Sequence, residues 1–70
     1  MPIDLDNIFD YHSPTAEQLP RYQAIRAAAK AFAQVIVDHT PASADQTAAI
    51  RKVSEACMTA NAAIAREGRP

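Results

Sequence analysis

Two cations one helical turn apart, Arg26 and Lys30, fall in the alanine-rich stretch from Arg21 to Lys30. At i,i+4 spacing their side chains project from neighbouring places on one helix face. Like charges there repel mildly, so the pair belongs either on a solvated basic flank or against an anion. As an anion site it would be a phosphate clamp, with arginine offering a bidentate fork and lysine a point charge. Upstream stand Tyr11 and His12. Tyr11 is either a local anchor with its hydroxyl in water or a stacking platform for a nucleobase, a contact worth about 1–3 kcal/mol per base. An arm carrying an aromatic and a helix carrying cations would supply both halves of nucleotide recognition, from one subunit or from two.

Other candidates are weaker. Arg66 complements the macrodipole at the end of a helix, a sufficient structural reason for it. Asn61 fits a polar contact between helices or a ligand donor. Arg51, Lys52 and Glu55 read as a solvated face with local pairing. Cys57 falls on an apolar seam, as a small buried hydrophobe does, and no histidine is near it to make it a nucleophile. His12 and His39 are isolated, so no zinc spacing arises. No Ser/His/Asp grouping and no Gly-rich phosphate loop occurs, and the chain has one glycine. The residues themselves thus offer Tyr11, His12, Arg26 and Lys30 as candidates for a ligand site, leave Asn61 open between a helix contact and a ligand donor, and suggest no catalytic group, metal site or cofactor.

The elements that must position these residues are helical. Residues 1–14 form an arm in which Asp4, Asp6 and Asp10 mix with Ile3, Leu5, Ile8 and Phe9. It is too short to be an independent element, and Ile8 and Phe9 suggest docking on helices of this chain or a neighbour. Thr15 with Gln18 matches a capping box, and Pro14 before Leu19 resembles a hydrophobic staple. Pro20 places the regular start near Leu19-Pro20 or makes the first turn irregular. Tyr22, Ile25, Ala29, Phe32 and Ile36 then step by three and four along a heptad seam that ends near Asp38-His39. Ser43 and Gln46 form a second capping box, followed by a second seam through Gln46, Ile50, Val53, Cys57, Ala60 and Ile64. The helix frays at Glu67-Gly68. A short Pro-containing loop between two helices makes them antiparallel neighbours. The expected fold is all-α: an antiparallel αα-hairpin over 15–67, an arm over 1–14 and a loose end at 68–70.

Composition says that this hairpin needs company. Seventy residues make at most one small domain, and a core of that size rarely supplies more than about 3–5 kcal/mol. One cysteine rules out an intrachain disulfide. Sixteen alanines favour helix and permit close approach of several helices. Leu19, Ala33 and Val37 lie off the first seam, on the flank of Arg26 and Lys30; Met58 and Ala65 do the same on the second helix. Apolar residues on more than one face imply contacts beyond the hairpin, so a compact helical oligomer is expected. Seven Lys+Arg against eight Asp+Glu give a net charge of −1, which argues against DNA or RNA as a partner. No apolar run approaches the ~18–20 residues of a membrane span, and the acidic first residues do not read as a secretory signal. A lone cysteine fits a reducing cytoplasm.

The arm Asp10-Tyr11-His12-Ser13-Pro14-Thr15, followed by Arg21-Tyr-Gln-Ala-Ile-Arg-Ala-Ala-Ala-Lys-Ala-Phe-Ala33, resembles the phage anti-CBASS sponge family. The resemblance continues through Pro41-Ala-Ser-Ala-Asp-Gln-Thr-Ala-Ala49 to Met58-Thr-Ala-Asn-Ala-Ala-Ile-Ala-Arg66, and covers roughly residues 8–66. The Tyr-His-Ser-Pro arm and the Ile-Arg-x-Ala-Ala-Lys stretch carry most of it. The same hairpin occurs in sponges directed at Thoeris signals. The likeness implies a small helical protein assembling as a hexamer with three-fold symmetry in the cytoplasm of an infected bacterium. There it would sequester cyclic oligonucleotide messengers without cleaving them. Cyclic dinucleotides would lie between protomers, on Tyr11 and on Arg26 or Lys30. A second pocket class, for cyclic trinucleotides, would use Arg66 and, less directly, Asn61. The competing reading is a small helical oligomerisation module that docks on a host or phage protein.

Overall fold

Thr15 opens the hairpin. Its Oγ1 accepts from the Gln18 N–H at 3.2 Å, and Gln18 Oε1 accepts from the Thr15 N–H at 3.0 Å, so the expected reciprocal capping box forms. The Thr15 carbonyl accepts from both the Gln18 and Leu19 N–H groups, at 3.0 and 3.2 Å. This tight opening turn places Pro20, which has no N–H to offer, where a helix tolerates it. The staple of Pro14 on Leu19 does not shield either residue, since both are exposed, Leu19 at 47%.

The structure, a computed structural model, describes residue 3, residues 5–9 and residues 13–68, apart from the side chains of Asn7 and Phe9. The described residues form α1 (Leu5–Phe9), α2 (Gln18–His39) and α3 (Ala44–Arg66), and no strand. The arm thus contains a helical turn, α1, where the sequence suggested no regular element. Its Ile8 is half-buried, whereas Ile3 and Leu5 are exposed.

The turn between α2 and α3 is held by side chains. Thr40 leaves the helix in an extended conformation, and its Oγ1 donates to the Ile36 carbonyl at 2.6 Å. Ser43 caps α3 by accepting from the Gln46 N–H at 3.1 Å. The second capping box is only half made, however. Gln46 turns its amide back to Thr40, donating to both the carbonyl and Oγ1 at 3.1 Å. That choice ties the first turn of α3 to the last residue before Pro41, and α2 and α3 pack as an antiparallel pair.

The two seams face each other but do not close. Among the described apolar residues only Ile64 is buried, and it keeps 6% exposure. Ile25, Ala29 and Ile36 from α2 meet Val53, Cys57 and Ala60 from α3 along an open apolar groove of about 590 Å³. Phe32, expected in the buried seam, stands at its rim and is 59% exposed. Alanines bring the helices close without filling the space between them. The chain as a whole is also elongated. The chain exposes 5352 Å², against about 4,300 Å² for a compact monomer of its mass. Its radius of gyration is 14.9 Å, against about 11 Å for a compact chain of this length.

The far end of α3 is sharply terminated, not frayed. Glu67 takes the left-handed conformation at φ 49° and Gly68 follows at φ 80°. The Gly68 N–H donates to the Ala63 carbonyl at 3.0 Å and the Glu67 N–H to that of Ile64 at 3.1 Å. These are the two bonds of a Schellman motif, with glutamate in the position usually given to glycine.

Candidate anion-binding site

Arg26 and Lys30 occupy one exposed face of α2, on either side of its midpoint. Neither forms an ion pair with another described residue. Among the described residues no carboxylate offsets their mutual repulsion. Leu19, 47% exposed, and Val37, also exposed, flank them on the same face, with Ala33 half-buried. Such a mixed surface of cations and aliphatic groups suits a ligand that has both phosphates and flat apolar bases.

Asn61 and Arg66 lie near the C-terminal end of α3, both half-buried. Asn61 makes no hydrogen bond across the hairpin: its Nδ2 donates to Cys57 Sγ at 3.9 Å, one turn back on its own helix. Its Oδ1 is buried and without a hydrogen-bond partner among the described residues. A buried acceptor without a donor is costly and asks for an explanation. The two residues are five positions apart, about 140° around the helix, so they do not share one face. Tyr11 and His12 lie outside the described residues. Arg51, Lys52 and Glu55 are exposed as expected, but none forms an ion pair with another described residue, so the local pairing is not found. Cys57 is half-buried and lines the groove. No group of three or more His, Cys, Asp or Glu that could hold a metal occurs among the described residues.

A polar clasp missed in the sequence closes the open end of the hairpin. Gln18 is 8% exposed and is the buried polar residue of the described chain. Its Nε2 donates to the Ile64 carbonyl at 3.1 Å and to Glu67 Oε1 at 2.9 Å, while its Oε1 takes the Thr15 N–H. Arg21 adds a 3.0 Å ion pair to the same Glu67 oxygen. A non-glycine residue in the left-handed region costs about 1–3 kcal/mol, which surrounding contacts must offset. Here the carboxylate's bonds to Gln18 and Arg21 supply that compensation. The capping pattern disclosed Gln18 only as a cap. Glu67 beside Gly68 was the remaining signal, because glycine at a helix end marks the motif even when it stands one residue late.

No helix among the described residues is long and apolar enough to cross a membrane. Neither a curated protein nor a solved structure gives a significant match to the chain. The family model described as "Acb2/Tad1, hairpin domain" matches residues 1–65. A match over that much of the chain, on an all-helical hairpin capped and paired as described, establishes the relationship: the protein belongs to the Acb2/Tad1 hairpin family, the phage anti-CBASS and anti-Thoeris sponges.

Proposed function

We propose that this protein is a phage-encoded sponge that binds cyclic oligonucleotide messengers and keeps them, uncleaved, from the effectors of CBASS immunity. The observation that carries this reading is the family match over residues 1–65. The exposed pair Arg26 and Lys30 supports it, as cations on a mixed apolar face without a carboxylate among the described residues to neutralise them. One of them contacts phosphate, and Tyr11, with His12 beside it, stacks on a base of a cyclic dinucleotide lying between subunits. Arg66 serves a second pocket class that takes cyclic trinucleotides. The buried, unmatched Oδ1 of Asn61 fits a donor brought there by ligand or by another subunit.

The open groove and the excess surface support a homo-oligomer, and the family likeness favours a hexamer. Symmetric assembly multiplies a sparse set of residues into enclosed, repeated sites. A sponge needs affinity without turnover, and these residues offer cations and an aromatic but no activated nucleophile. It would act in the cytoplasm of the infected bacterium, where the messengers are made.

Calorimetry with a panel of cyclic di- and trinucleotides, followed by recovery of the ligand, tests the reading. Ligand returned intact supports it, and degraded ligand points to an enzyme. No binding across the panel sinks it and leaves the apolar groove as a docking face for a host or phage protein.

A further inference from the structure

We propose that Glu67 and Gln18 together are positioning residues for Arg66, holding the helical turn that carries it where an anionic ligand meets the end of α3; this rests on the ligand contact proposed above for Arg66. The clasp grips the chain on both sides of that residue. Gln18 Nε2 bonds the Ile64 carbonyl two positions before Arg66 and the Glu67 carboxylate one position after it. The gripping residue is itself fixed, because Gln18 is buried and its amide oxygen is held by the Thr15 N–H at the start of α2. The last turn of α3 therefore cannot rotate or unwind without breaking bonds anchored on the other helix.

The choice of residue at position 67 supports a role beyond ending the helix. Glycine adopts φ 49° without strain and would make the same two backbone bonds to Ala63 and Ile64. Helix termination alone thus favours glycine. Glutamate adds the cross-helix bonds to Gln18 and Arg21, and those bonds hold the backbone from which Arg66 projects. A binding side chain on a terminal turn gains affinity from such preorganisation, because less freedom is lost when ligand arrives.

Glu67→Gly separates the two roles, since it keeps the backbone motif and removes the clasp. Affinities of the wild type, Arg66→Ala, Glu67→Gly and Glu67→Gln for cyclic di-AMP and cyclic tri-AMP would be measured by calorimetry, with thermal midpoint and oligomeric mass recorded for each. The expected result is that whichever probe Arg66→Ala weakens is also weakened about tenfold by Glu67→Gly. Glu67→Gln, which keeps an acceptor for Gln18, should restore most of that loss, and Glu67→Gly should leave the mass and the other probe unchanged. If Arg66→Ala weakens a probe that Glu67→Gly binds as the wild type does, the positioning role is wrong and the Arg66 contact stands. If Arg66→Ala changes neither probe, the contact itself is wrong and the positioning role falls with it. Equal weakening of both probes by Glu67→Gly, with loss of assembly, or no rescue by Glu67→Gln, assigns the clasp to general stability and overturns the proposal.

Discussion

Gln18 and Ile64 meet across the open end of the hairpin, the amide of one donating at 3.1 Å to the main-chain carbonyl of the other. They are the buried polar and the buried apolar residue of the described chain, at 8% and 6% exposure. The best-shielded point of the single chain is therefore a hydrogen bond beside one isoleucine, and the seams on either side of it stay open.

Gln18→Ala removes the cross-helix bonds to the Ile64 carbonyl and the Glu67 carboxylate together with the acceptor for the Thr15 N–H, while the Ile64 carbonyl keeps the Glu67 N–H. The cost expected is about 1–3 kcal/mol of folding free energy, read from urea denaturation followed by circular dichroism. Arg21→Ala deletes only the exposed ion pair to Glu67 and should cost under about 1 kcal/mol. Equal effects of the two substitutions would contradict the assignment of the clasp's strength to Gln18.

Sedimentation should show a species several times heavier than the 7.6 kDa chain, with a thermal midpoint that rises with protein concentration. Ile25→Asp puts a charge into the groove wall and should dissociate or unfold that species. A stable monomer with a concentration-independent midpoint would contradict the assembly.

Tyr11→Ala should weaken cyclic dinucleotide binding while leaving the oligomer intact, as expected for loss of a stacking contact worth about 1–3 kcal/mol. Arg26→Ala and Lys30→Ala, measured beside it, identify the phosphate contact: the variant with the larger loss, and with a weaker dependence of affinity on salt, names the residue. Unchanged affinity in Tyr11→Ala removes that residue from the site.

Cys57 reports on the groove. It is half-buried in the single chain and lines the apolar opening, so assembly through that face should cover it. A thiol reagent should modify it slowly at high protein concentration and faster on dilution. Modification at one rate across concentrations would place the intersubunit contact elsewhere.

Much of this fold was readable because its signals are local. The Thr15–Gln18 box uses residues three apart, and the heptad steps through Ile25, Ala29 and Ile36 repeat within one helix. The same locality put Arg26 and Lys30 on one face. What stayed hidden depends on the other helix. Phe32 has perfect seam spacing, yet the separation of α2 and α3 leaves it on a rim. Gln46 satisfies the capping pattern and still prefers Thr40, because both ends of its amide compete for partners. Gln18 bonds a carbonyl 46 residues away, which no periodicity encodes, and Glu67 takes the conformation that glycine beside it advertises. Whether Tyr11 and His12 meet the cations is a question of assembly, and spacing within one chain does not answer it.

The unfilled groove between α2 and α3 has a dosage consequence. If neighbours complete the fold, the folded fraction rises with a power of the amount synthesised, since assembly is governed by mass action. A few stray copies would stay incomplete and be cleared by proteolysis. Capacity for ligand would then switch on over a narrow range of expression, giving a cell almost no binding from leaky synthesis and nearly stoichiometric binding from a burst of it.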